Sequence, residues 1–148
     1  QQSKAAELAR RLSDEGETDI GFLTSVYHYV TGSIIYDDEK AQHVPADYVP
    51  DIDETLVTGK GICFDYASLM AAMLRSQGIP TRLVVGYAGT VPHAWISVWL
   101  ADTGWLDRII EFDGTEWKML DPTLAASNDP RTVKRYLSEN NYTVKYYY

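Results

Sequence analysis

The segment from Cys63 to Gln77 is apolar around most of a helical turn, and a helix of that kind has to be covered by other elements. Cys63, Ala67, Met70, Ala71 and Leu74 fall along one side at helical spacing, while Asp65, Ser68, Arg75 and Ser76 leave only a narrow polar stripe. Both ends are marked. Gly78 suits the left-handed position that closes a helix, and Pro80 prevents its continuation. At the other end Gly59-Lys60-Gly61-Ile62 reads as a turn running into the first helical residue, Cys63, the only cysteine of the chain. A helix N-terminus offers main-chain N–H groups and partial positive charge, both of which favour a thiolate. A reactive cysteine is therefore expected there, with a small buried hydrophobe as the bland alternative.

Beyond Pro80 the pattern changes to that of strands. Arg82–Tyr87 is one; after a turn through Gly89 and Pro92, His93 begins the next. Alternation puts His93, Trp95, Ser97 and Trp99 on one face and Ala94, Ile96, Val98 and Leu100 on the other. Asp113-Gly114 signals a hairpin between Ile109–Phe112 and Thr115–Leu120, so that Trp117, Met119 and Asp121 share a face. If that last strand neighbours the histidine strand, Asp121 reaches the imidazole and fixes its tautomer. Taken alone, His93 reads equally as a core histidine and Asp121 as the end of a strand before a proline.

Upstream, Ser3–Leu12 favours a helix, and Thr18 or Asp19 can cap a second one through about Ser33. Lys40–Thr58, with Pro45, Pro50 and several aspartates, reads as a long loop that either borders a cleft or is plain surface. Asp129-Pro130 starts a short helix to about Glu139, and the aromatic tail Asn141–Tyr148 adds a strand. Helices with an antiparallel sheet make an α+β fold, and 148 residues at 45% hydrophobic content fit one domain, residues 1–148. The formal charge of −8 disfavours nucleic acid as a partner. No apolar run has membrane length, so no membrane insertion is expected.

Gly59-Lys60-Gly61-Ile62-Cys63-Phe64-Asp65-Tyr66-Ala67, Gly78-Ile79-Pro80-Thr81-Arg82 with Gly86-Tyr87, His93-Ala94-Trp95, Trp117, and Asp121-Pro122-Thr123 together resemble the core of the transglutaminase-like superfamily over about residues 36–123. The resemblance implies a papain-like core with the catalytic cysteine at the N-terminus of a buried helix packed on an antiparallel sheet. It implies Cys63 as nucleophile, His93 as base and Asp121 as the acid that orients the histidine. Tyr36 resembles a position where small relatives carry an aromatic residue, which makes its hydroxyl a candidate oxyanion donor beside the Cys63 N–H; a packed tyrosine is the alternative. Thr103–Trp117 is longer than the hairpin that commonly joins the histidine and aspartate strands. Lacking the extra domains of the large animal enzymes, the chain looks more like the small bacterial members described as cysteine proteases.

The chemistry so implied is acyl transfer through a thioester, on a peptide or protein substrate. Water as acceptor gives a protease, peptidase or deamidase, the favoured outcome; a lysine amine gives a protein-glutamine crosslink; a silent binding module on the same fold is the third reading. No cofactor and no metal are expected, since no histidine pair has the short helical spacing of a zinc motif. Family analogy alone places such a chain outside the cell or at its surface.

Overall fold

The computed structural model describes residues 3–15, 18–45, 47–88, 91–101, 103–120 and 142–147. The chain divides into two compact units, Gln1–Gly78 and Ile79–Tyr148.

The first unit is helical. It contains α1 (Ser3–Glu15), α2 (Asp19–Ser33), β1 (Ile35–Tyr36), α3 (Asp38–Ala41), α4 (Ile52–Thr58), β2 (Lys60–Gly61) and α5 (Cys63–Ser76). α1, α2 and α4 each pack against α5, which is why that helix tolerates so little polarity. Ala5, Leu8 and Ala9 of α1, Phe22, Leu23, Val26 and Val30 of α2, and Leu69, Met70, Met73 and Leu74 of α5 form the core. Thr18 caps α2 by accepting the Gly21 N–H at 2.9 Å. Lys40–Thr58, expected as a long loop, instead contains the end of α3 and all of α4. The nearby aspartates are caps: Asp37 accepts the Lys40 N–H at 3.0 Å and Asp51 the Glu54 N–H at 3.1 Å. Helices this short carry no periodicity by which to recognise them.

The second unit is a five-stranded antiparallel sheet in the order β6-β5-β4-β3-β7, made of β3 (Thr81–Ala88), β4 (Val91–Leu100), β5 (Gly104–Phe112), β6 (Trp117–Met119) and β7 (Tyr142–Tyr147). Helices in one unit and an antiparallel sheet in the other give the α+β class. Ala94, Ile96, Val98 and Leu100 share a face with Leu83, Val85, Leu106, Ile110 and Phe112, all buried. Pro92, expected in a turn, lies inside β4 opposite Tyr87. Pairing with β5 begins only at Ala94, so Pro92 falls where β4 has a single neighbouring strand among the described residues, a position that accommodates a missing N–H. The tail strand forms as β7 against β3. The helix expected from Asp129 to Glu139 lies outside the described residues.

Candidate active site

Cys63 is the first residue of α5, and two glycines set it there. Gly59 closes α4 in the left-handed conformation, at φ 68°. Gly61 then pairs in parallel with Tyr36, and the Asp37 N–H donates to its carbonyl at 2.9 Å. Asp65, wholly buried, folds back to accept the Ile62 N–H at 2.9 Å, half of a capping box. Its remaining capacity is taken by the Lys40 ammonium at 3.1 Å and the Tyr48 hydroxyl at 2.5 Å. Lys40 also lies 4.5 Å from the centre of the Tyr48 ring. Sequence reasoning passed over this trio; the signal was an acid three residues after Ile62, the capping-box spacing.

The thiol itself is buried, at 4% exposure. Burial pushes its pKa up to about 12; main-chain N–H groups of Phe64 and Cys63 pull it down, and the Asp65 carboxylate pushes it up again. Desolvation therefore acts against the thiolate that the helix N-terminus favours, and it is the largest of these influences. Tyr36 lies on β1, its ring 6.2 Å from that of Tyr66. The Cys63 N–H donates to its hydroxyl, whose pKa burial and the nearby thiol raise. Tyr66 in turn donates to the Ile34 carbonyl at 2.7 Å. In this unit a cavity of about 260 Å³ is lined by Asp37, Lys40, Glu54, Thr55, Thr58 and Lys60.

His93 belongs to the second unit. It sits on β4 opposite Gly86 of β3 and is 9% exposed. Burial lowers its pKa, Glu111 and Asp113 raise it, and Arg108 lowers it. β5 neighbours β4, with Trp95 opposite Glu111, whereas β6 lies beyond β5. β6, the strand that runs toward Asp121, is thus separated from β4 by β5. Trp117 and Met119 lie opposite Phe112 and Ile110. Asp121 itself lies outside the described residues. Among those residues, no group of three histidine, cysteine, aspartate or glutamate side chains could hold a metal ion, and no helix is long and apolar enough to cross a membrane.

The sequence profile of the transglutaminase-like superfamily matches residues 6–108. This chain belongs to that superfamily. The match includes Cys63 and His93 and ends at Arg108, short of Asp121. A protein-glutamine gamma-glutamyltransferase of Pseudomonas aeruginosa is 36% identical over 77 residues, covering 42% of this chain and 12% of that protein. An uncharacterized protein of Mycobacterium bovis is 32% identical over 99 residues, 58% of this chain and 28% of that one. The chain thus spans well under a third of these relatives. In fold it is similar to a candidate cysteine protease from Cytophaga hutchinsonii (TM-score 0.57, 23% identity, 78% of this chain and 38% of that chain). It is also similar to the periplasmic domain of TgpA from Pseudomonas aeruginosa (TM-score 0.53, 24% identity, 92% of this chain and 46% of that chain).

Proposed function

We propose that the chain is a cysteine-dependent acyl-transfer enzyme that hydrolyses peptide or side-chain amides through a thioester on Cys63. The observation that carries this reading is the placement of Cys63 at the first turn of α5, with the Phe64 and Cys63 N–H groups on its sulfur, inside the segment that matches the superfamily. Burial favours the neutral form of both groups, pushing the thiol up and lowering His93. His93 then acts as a general base: it takes the thiol proton as sulfur attacks the carbonyl carbon, and delivers it to the leaving amine or ammonia as the C–N bond breaks. Water attacks the thioester in the second half, giving the carboxylate and the free thiol. Asp121 enters this proposal as the acid expected to orient His93, and Tyr36 with the Cys63 N–H as the pair stabilising the oxyanion. One such donor is worth on the order of 3 kcal/mol.

A second reading is favoured by the relative named a protein-glutamine gamma-glutamyltransferase: a lysine amine replaces water and leaves a crosslink. The periplasmic origin of the TgpA domain supports a setting outside the cytoplasm for either activity.

The test is the pH dependence of Cys63 alkylation in the parent and in His93→Ala, with the modified residue identified by mass spectrometry. A neutral-pH rate that falls at least about tenfold without the histidine supports the reading. A thiol that does not react in the folded protein, or reacts equally in both, overturns it in favour of a silent binding module. Ammonia release and incorporation of a fluorescent primary amine into casein then separate hydrolysis from crosslinking.

A further inference from the structure

Asp65 is wholly buried, and its carboxylate collects three donors from three places in the chain. Oδ2 accepts the Ile62 N–H at 2.9 Å and the Lys40 ammonium at 3.1 Å, and Oδ1 accepts the Tyr48 hydroxyl at 2.5 Å. Only the first of these bonds caps α5. A neutral glutamine serves a capping box as well as an acid does, so the helix start does not by itself call for a buried charge, which is costly unless paired.

The charge also stands in an unfavourable place. Asp65 is two residues beyond Cys63 in the first turn of α5, and a carboxylate there opposes ionisation of the thiol. Lys40 supplies the offsetting positive charge. Its place is set by the bond to Asp65 and by the Tyr48 ring, whose centre is 4.5 Å from the ammonium. The Tyr48 ring meets the Phe64 ring edge-on, with centres 6.3 Å apart, and the Phe64 N–H acts on the sulfur. Asp37 ties α3 to the same turn: its N–H donates to the Gly61 carbonyl at 2.9 Å, and its side chain accepts the Lys40 N–H at 3.0 Å.

The other elements against α5 bury no charge among the described residues. What α1, α2 and α4 bury is apolar apart from Thr55, and Lys60 of β2 is exposed. Tyr36 of β1, whose hydroxyl accepts the Cys63 N–H, also faces the thiol, with Asp38 and Tyr66 near it.

We propose that Lys40 and Tyr48 are positioning residues for Cys63: acting through Asp65, they fix the first turn of α5 and offset the charge of the carboxylate beside the nucleophile. This role rests on the acyl-transfer reading for its purpose, since only a reacting thiol gains from it.

The experiment is the rate of alkylation by iodoacetamide at one fixed pH in the intact chain, measured beside the thermal midpoint of each variant. Cys63 is the only cysteine, so the modified residue is unambiguous. Lys40→Met is expected to slow alkylation about threefold or more, and Tyr48→Phe by less in the same direction. Asp65→Asn speeds it, although all three variants lower the thermal midpoint. Lys40→Arg keeps the charge and holds the parent rate, and Tyr48→Phe has no further effect once Asp65 is Asn. A clasp that is purely structural loosens in every variant and moves the rate the same way in all three. That outcome, or no change with Lys40→Met and Tyr48→Phe, overturns the proposal; Tyr48→Phe serves alone if Lys40→Met does not fold. The series is repeated in His93→Ala. Opposite signs with a rate indifferent to the histidine remove acyl transfer and keep the clasp, whereas equal signs with a histidine-dependent rate do the reverse.

Discussion

A β-carbon on Gly61 would lie 2.7 Å from the β-carbon of Asp65. The second glycine of Gly-Lys-Gly is therefore a clearance residue: it lets a buried carboxylate close over the start of α5. The first glycine has a different task, since Gly59 meets only the Ser33 carbonyl, at 3.6 Å, and is constrained by its φ of 68°. Gly61→Ala is expected to cost about 1–3 kcal/mol through overpacking against the Asp65 side chain. Gly59→Ala should cost roughly 1 kcal/mol through strain alone. Urea unfolding of the two variants checks the order.

Asp65 stabilises the helix start at the expense of the thiol. Its carboxylate raises the Cys63 pKa, so Asp65→Asn is expected to move the alkylation midpoint down from about 12 while lowering stability through loss of the Lys40 pair. Lys40→Met does the reverse to the thiol, because the buried carboxylate then loses its cation. With Lys40 about a third exposed, the ion pair itself contributes about 1 kcal/mol. Rate–pH profiles with iodoacetamide, read beside thermal melts, separate the two effects.

Ser97→Ala removes the acceptor of the Arg108 N–H inside the sheet. Leaving that donor unsatisfied costs about 1–3 kcal/mol. Amide exchange at Arg108 should accelerate more than at Ile110, which has its own strand partners on β4 and β6. Equal acceleration at both sites would mean that the register shift there does not depend on the serine.

The hairpin between β5 and β6 is expected to be acid-sensitive. Hydrogen bonds from the Glu116 and Thr115 main chain hold the Asp113 pKa well below the ordinary carboxylate value. A depressed folded-state pKa gives stability that is fully present above about pH 4, the ordinary value, and is lost as pH falls below it. Asp113→Ala should therefore destabilise the protein at pH 7 and flatten its acid unfolding curve below pH 4. An unchanged curve would show that the turn carries no such linkage.

Much of the first unit was legible in the residues. The ends of α2 and α5 follow from Thr18, the Gly-Lys-Gly turn and Gly78, because caps and left-handed glycines are local events. The thiol's environment was not, since the desolvation that dominates it comes from burial among elements distant in sequence. In the sheet, alternation gave the faces of β4 correctly, and Asp113-Gly114 marked its hairpin. What alternation could not supply was strand order: Thr103–Trp117 looked like an insertion, whereas most of it is β5, a full strand between β4 and β6. Nor could spacing foresee the register shift between β4 and β5 beside Arg108, whose N–H donates to a serine across the ladder. Thus the seats of Cys63 at the start of α5 and of His93 on β4 follow from local pattern, while the place of β5 between β4 and β6 does not.

β3 and β7 are adjacent in the sheet yet far apart along the chain. During synthesis β3, β4, β5 and β6 emerge before β7 and can pair in sequence, while the outer side of β3 waits for β7 to leave the ribosome. Through that interval β3 offers unpaired main-chain groups to any extended segment nearby. A chain released before Tyr142 would retain that vulnerability, so premature termination is predicted to produce self-associating sheets.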